Sequence, residues 1–188
     1  MEPKALDRFL AEVERRAFKI AMLSVQNEDI ALEMVQEAMM RLAEKYADHT
    51  PDEWPMLFQR ILQNAILDHH RRQKVRRAWV SLFGDLRPPS HDEDEGQEDG
   101  SDLVPDEASE GPEDQVARQK LRKHLEGAIS ALPIRQQQAF LLRYWEGLDI
   151  AQTAQAMNCS EGSVKTHCFR AVKALSESLA FLKSELED

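Results

Sequence analysis

One stretch of this chain cannot contribute to a folded core, and it constrains everything else. From residue 82 to residue 114 the sequence sets Arg87 against 13 acidic side chains, with prolines at 88, 89, 105 and 112 and glycines at 84, 96, 100 and 111. Leu86, Leu103 and Val104 are nearly its only large apolar residues after Phe83. Such a segment buries too little surface to offset its ordering entropy, so a disordered acidic linker is expected over 82–114. It divides the 188 residues into two pieces, each of small-domain size.

The same segment distorts the overall charge. The net charge is −10, yet residues 1–81 hold 13 basic and 13 acidic side chains, and residues 115–188 hold 10 basic and 8 acidic. Two nearly neutral modules are joined by a polyanion, and the acidic pI of about 5.1 says little about either.

Both flanks read as helices, and strand signals are absent. Leu6, Leu10, Val13, Ala17, Ile20, Ala21 and Leu23 recur near the helical period within the first. Asn27-Glu28-Asp29 supplies turn and cap chemistry before a second stripe of Ala31, Met34, Val35, Ala38, Leu42 and Tyr46. A third runs through Trp54, Leu57, Phe58, Ile61, Leu62, Ala65 and His69; Pro55 sets its expected start at Asp52 or Glu53. Past the linker, Val116, Leu121, Leu125, Ala128, Ile129 and Leu132 form a stripe ended by Pro133. A short helix with Phe140, Leu141 and Tyr144 follows, stopped by Gly147. The expected fold is all-α: an N-terminal helical bundle (1–81) and a C-terminal four-helix domain with a helix-turn-helix (115–188).

The helix-turn-helix is the most specific local signal. Asp149 can cap a first helix, and Ala154 is small where two helices must approach closely. Asn158 suits a left-handed turn position, Ser160 can cap a second helix, and Val164 points back between the two. The second helix then presents Ser163, Lys165, Thr166, Phe169, Arg170 and Lys173, a polar start suited to base edges and later cations suited to phosphates. A plain hairpin with a solvated basic face is the competing reading. In the N-terminal half, Arg71-Arg72-Gln73-Lys74-Val75-Arg76-Arg77 places five cations in seven residues ahead of Trp79, which fits a nucleic-acid backbone with a stacking platform. A solvated helix end fits it equally well until the helix-turn-helix is considered. His69 and His70, as neighbours on a helix, point in different directions and make no metal pair. Cys159 and Cys168 read as buried or half-buried thiols. No catalytic, metal or phosphate-loop constellation is present, so neither enzyme nor cofactor is expected.

Here the residues resemble a known family. The run Asp29-Ile-Ala-Leu-Glu-Met-Val-Gln-Glu-Ala-Met-Met-Arg-Leu is similar to region 2.2 of the bacterial extracytoplasmic-function (ECF) sigma factors. Trp54-Pro-Met-Leu-Phe-Gln-Arg-Ile-Leu-Gln-Asn-Ala-Ile-Leu-Asp-His-His-Arg-Arg looks like the helix that follows it in that family. Ala131-Leu-Pro-Ile-Arg-Gln-Gln-Gln-Ala-Phe-Leu-Leu-Arg, with the helix-turn-helix, resembles region 4. The resemblance covers roughly 1–80 and 115–180. It implies that Asp29, Glu33, Gln36, Glu37 and Arg41 dock on the β′ clamp of core RNA polymerase. It further implies that Arg60, Asn64, Arg71, Arg72, Arg76 and Trp79 meet the minus-10 element, with loop 48–53 forming a base pocket, and that the second recognition surface reads the minus-35 element. Lys165 and His167 stand where the family commonly has arginine, so a different minus-35 sequence is expected.

The implied partners are core polymerase (β′ clamp and β flap), promoter DNA and an anti-sigma factor, with the chain monomeric when free. The expected site of action is the cytoplasm, since no signal peptide or apolar span stands out. Without a long C-terminal extension, no fused accessory domain is expected. The rival reading is a conventional helix-turn-helix regulator acting without polymerase.

Overall fold

The computed structural model describes residues 3–83 and 112–187; side chains are described for 5–79 and 118–180. Among these residues all regular structure is helical. The N-terminal module contains α1 (Pro3–Val25), α2 (Glu28–Tyr46) and α3 (Trp54–Phe83). The C-terminal module contains α4 (Pro112–Ser130), α5 (Ile134–Phe140) continuing into a π-helical turn (Leu141–Trp145), α6 (Ile150–Met157) and α7 (Glu161–Glu187). Helices therefore take residues from both ends of the expected linker. The rest of it, 84–111, lies outside the described residues.

The helix boundaries follow local chemistry. Asn27 adopts an extended conformation, and its side-chain oxygen accepts from the Ile30 amide, capping α2. Ahead of α3, Thr50 donates through its amide and its hydroxyl to Glu53 Oε2, at 3.0 and 2.9 Å. The Glu53 carbonyl then accepts from the Leu57 amide. Glu53 is thus the cap, and α3 starts at Trp54 rather than at the expected Asp52 or Glu53. The short helix after Pro133 begins as α, but the Glu146 amide reaches Leu141 O and the Leu148 amide reaches Leu142 O. Gly147, at φ 71°, closes the wider turn.

Packing departs from a picture of two separate cores. Val13, Ile20, Leu42, Trp54, Phe58, Leu62 and Ile66 of the first module share one continuous apolar core with Ile129, Leu132, Leu141, Ala171 and Leu175 of the second. A smaller core under the helix-turn-helix joins Ala139, Leu142, Leu148, Ala154, Met157 and Val164. Two expected stripe residues lie largely outside the core: Leu121 is 46% exposed, and Tyr144 is 61% exposed with its ring 5.1 Å from that of Phe140. In α4 the packed part begins at Leu125.

Polar contacts lock the modules together. Gln137 Nε2 donates to Leu23 O at 3.1 Å and Gln138 Nε2 to Gln63 O at 3.0 Å. Lys19 Nζ lies 2.6 Å from Glu126 Oε1, and Arg16 donates to Trp145 O at 2.8 Å.

Candidate nucleic-acid interface

The helix-turn-helix is assembled by the residues the sequence singles out. Asp149 and Gln152 form a reciprocal capping box: Gln152 N donates to Asp149 Oδ1 at 2.7 Å and Asp149 N to Gln152 Oε1 at 2.9 Å. Asn158 ends α6 in the left-handed region at φ 49°. The Cys159 amide returns to Ala154 O, and Ser160 Oγ accepts from the Ser163 amide at 3.2 Å to start α7. Val164 is fully buried between the helices against Ala154. Two arginines that sequence reasoning passed over fix the turns. Arg135 donates to Met157 O at 2.9 Å, where α6 ends, and Arg143 donates to Leu148 O, just before α6 begins. Neither carried a local signal, because each reaches a backbone carbonyl that any residue could supply, Arg135 one that lies 22 residues away.

The outer face of α7 carries the expected readers. Lys165, Thr166, Phe169, Arg170 and Lys173 are exposed, Phe169 at 71%. At steps of one, three and four, they form one stripe along the helix. Thr166 spends its hydroxyl proton on Gly162 O at 3.0 Å. Ser163 is half-buried, and its hydroxyl lies 2.9 Å from that of Ser160, so it serves the cap as well as the surface. His167 is half-buried. Burial first, then Arg135 and Arg170, pushes its pKa below the usual histidine value, so at neutral pH it supplies no cation. Beside this face, Arg143, Tyr144, Ile150, Val164, Lys165, Cys168, Phe169 and Val172 line a groove of about 350 Å³. Both cysteines are half-buried, and burial raises their pKa values, which disfavours the reactive thiolate.

On α3 the expected residues Arg60, Asn64, Arg71, Arg72, Arg76 and Trp79 are all exposed. At about 100° per residue they occupy one half of the helix circumference. The opposite half carries the buried Gln59 and Gln63 and faces the C-terminal module. Arg71 shares its charge with Asp68 at 3.3 Å. His69 and His70 diverge: His70 Nε2 bonds Ser24 O at 2.8 Å, while His69 pairs with Gln73 at 3.0 Å. The loop before α3 is held firmly, with Trp54 Nε1 donating to Tyr46 O at 3.1 Å. The Thr50 hydrogen bonds lower the Glu53 pKa and keep its carboxylate ionised.

The α2 face carries Asp29, Glu33, Gln36 and Arg41 exposed and Glu37 half-buried, with Arg41 Nη2 2.5 Å from Glu37 Oε1. The structure adds two residues to this face. Met40 is 58% exposed and Leu32 42%, and by helical geometry Met40 lies between Gln36 and Glu33. Methionine is among the residues enriched on protein-docking surfaces.

Among the described residues, which are all helical in their regular structure, a capped helix-turn-helix thus accompanies an exposed basic face on α3 and a mixed acidic face on α2. Residues 122–175 match the family model "Sigma-70, region 4". The chain is 36% identical over 80 residues to the ECF RNA polymerase sigma factor BldN of Streptomyces coelicolor, covering 43% of this chain but only 30% of that relative. It is 25% identical to the ECF RNA polymerase sigma factor SigM of Mycobacterium tuberculosis over 96% of this chain and 80% of the relative. RNA polymerase sigma factor SigV of Bacillus subtilis is 26% identical over 84% and 81%. Among solved structures, the sigma factor RpoE of Bartonella quintana, crystallised with the anti-sigma factor NepR, shares the fold. Its TM-score is 0.61 at 20% identity, over 93% of this chain and 96% of that one. The chain is thus similar to ECF RNA polymerase sigma factors over most of its length, and its C-terminal part matches the region 4 model. Among the described residues no helix is long and apolar enough to cross a membrane.

Proposed function

We propose that this chain binds core RNA polymerase, brings it to a specific set of promoters, helps open them, and catalyses no reaction itself. The observation that carries the reading is the pairing of two surfaces on one chain: an exposed α3 face bearing Asn64 among arginines, and a capped helix-turn-helix presenting Lys165, Thr166, Phe169 and Arg170. The first, with residues up to 81, takes the minus-10 element, where loop 48–53 and Asn64 hold unstacked bases and Arg60, Arg71, Arg72, Arg76 and Trp79 hold backbone. The second, from residue 115 onward, takes the minus-35 element, with Ser163 and Lys173 at the edges of the contact. Asp29, Glu33, Gln36, Glu37 and Arg41, with Met40, dock on the β′ clamp, and the apolar groove beside Phe169 offers a surface to the β flap.

Each module is close to neutral, so neither holds DNA tightly alone. Polymerase acts as the frame that converts two weak contacts into one strong one. The protein acts in the cytoplasm, monomeric when free, under the control of an anti-sigma factor and in an envelope or stress response.

Run-off transcription with purified bacterial core polymerase on randomised promoters tests this. Specific start sites that depend on the protein are expected. DNA binding that persists without polymerase, with no specific transcripts, would instead favour a conventional helix-turn-helix regulator.

A further inference from the structure

The cations of α3 point two ways. Arg71, Arg72 and Arg76 lie on the half of the helix that carries Asn64. At about 100° per residue, Lys74 and Arg77 fall on the other half, together with His70. The helix macrodipole does not account for them, because its field acts within the last turn, and the last turn of α3 holds no basic residue. Lys74 and Arg77 are exposed, and neither forms an ion pair among the described residues. Two cations are thus set apart from the DNA-reading half with no protein charge to answer them.

Both cations line a cleft of about 380 Å³ at the seam between the two modules, and no carboxylate lines it with them. His70 stands beside them, its Nε2 donating to Ser24 O at 2.8 Å, which fixes the ring in place. Leu132 and Ile134, on either side of Pro133, supply an apolar wall. Gln137 also lines the cleft, and it is only 1% exposed. Its Nε2 donates to Leu23 O at 3.1 Å and to Ile129 O at 3.0 Å, so the amide cannot turn over. Its Oε1 is then left buried with no donor among the described residues. A buried acceptor of this kind is costly to leave unmatched. The cleft therefore combines a cationic rim, an apolar wall and a fixed acceptor that lacks its partner.

We propose that this cleft binds a small phosphorylated metabolite of about mononucleotide size that carries an N–H or O–H donor. Lys74 and Arg77 take the phosphate, Arg77 through the two-pronged contact that a guanidinium makes with an oxyanion. Leu132 and Ile134 cover an apolar or aromatic face of the ligand. The ligand's donor meets Gln137 Oε1. The volume lies within the range of about 300–1,000 Å³ that small-molecule sites occupy. None of these residues is among those assigned to DNA or to polymerase, so the site stands independently of that reading.

Isothermal titration calorimetry of the full chain with AMP, GMP, ribose 5-phosphate, adenosine and inorganic phosphate tests the site. AMP or GMP is expected to bind with a dissociation constant on the order of 10–100 µM. Adenosine, which lacks the phosphate, and inorganic phosphate, which lacks the rest, are each expected to bind about 10-fold more weakly or worse. Ribose 5-phosphate binding as tightly as the nucleotides would support the site and give the Gln137 contact to a sugar hydroxyl. The double variant Lys74→Gln with Arg77→Gln is expected to lose about 10-fold in nucleotide affinity. Both side chains are exposed, so the substitutions remove no core packing, and unchanged helical content checks this. Arg72→Gln with Arg76→Gln removes the same charge from the opposite half of α3 and is expected to leave nucleotide affinity unchanged. No heat from any probe at millimolar concentration would overturn the site. So would adenosine or inorganic phosphate binding as tightly as AMP, or equal losses from the two double variants.

Discussion

The side-chain amide of Gln138 donates to the backbone carbonyl of Gln63, 3.0 Å away and 75 residues earlier in the chain. The next residue back, Gln137, reaches Leu23 O and Ile129 O, so two adjacent glutamines fasten α5 to α1, α3 and α4. An amide hydrogen bond of this kind contributes about 1 kcal/mol net, enough to fix the register of a contact without making it permanent. Glu146 lies six residues beyond the end of α5, just after the π-helical turn, on the same seam, and it gives the contact a pH dependence.

Burial pushes the Glu146 pKa above the ordinary carboxylate value of 4.5, and Arg16 and Gln59 pull it back only in part. The packed seam therefore binds a proton at Glu146 more tightly than a solvated carboxylate does. Above the raised value the buried charge weakens the packing. As the pH falls through that value toward 4.5, the penalty disappears and the packing strengthens. Glu146→Gln keeps the shape and removes the charge. Urea midpoints followed across the acid range are expected to show the variant more stable than wild type above the raised value, with the difference shrinking as the pH falls through it. Equal pH responses in the two proteins would remove Glu146 from the account.

What could be read from the sequence was local chemistry. Asn27, Asp149, Asn158 and Ser160 act on backbone groups one to four residues away, so residue type and spacing identify their roles, and the structure places each as a cap or turn. Val164 and Ala154 were legible because a helix-turn-helix needs a small residue and a buried aliphatic at fixed separation. The seam was not legible. Its acceptors are backbone carbonyls of Leu23 and Gln63, which any residue could supply, and its donors are glutamines that look like solvated surface. Met40 escaped notice because it falls off the apolar stripe of α2, the very property that exposes it. The π-helical turn depends on how Gly147 and Leu148 return to the helix, which no local propensity encodes.

Asn158 offers a test of the turn itself. At φ 49° it occupies a conformation that glycine and asparagine tolerate and β-branched residues do not. Asn158→Val is expected to lower stability by about 1–2 kcal/mol, and Asn158→Gly to stay within about 0.5 kcal/mol of wild type. Urea midpoints at constant slope provide the comparison. A valine variant as stable as wild type would mean the turn is not held in this geometry.

Lys165 and Arg170 are both exposed on α7 but suit different tasks. A lysine at the polar start of the helix meets a base edge as a point charge, without the fork that pairs two acceptors of guanine. Lys165→Arg is therefore expected to change the preferred base at one minus-35 position, by about 1–3 kcal/mol of discrimination. Arg170→Ala should instead weaken holoenzyme binding across all promoters and reduce the salt dependence by about one counterion. Promoter selection with each variant holoenzyme separates the two, and identical preferences for Lys165→Arg and wild type would place Lys165 on phosphate.

Met40 decides whether the α2 face is a docking surface or a solvated one. The side chain is 58% exposed, so replacing it with aspartate removes little packing from the N-terminal core. If the face is only solvated, Met40→Asp changes nothing measurable. If it docks, the substitution sets a desolvated charge at the centre of the contact, where truncating or charging one residue commonly costs 2 kcal/mol or more, about 30-fold in affinity. The expected result is a loss of that size in core polymerase binding, with unchanged helical content and unchanged urea midpoint. The flanking Glu33→Gln should cost several-fold less, because a charge at the rim acts mainly on association rate and is screened by salt. A Met40→Asp protein that binds polymerase as wild type does would return the α2 face to solvent and move polymerase docking elsewhere on the chain.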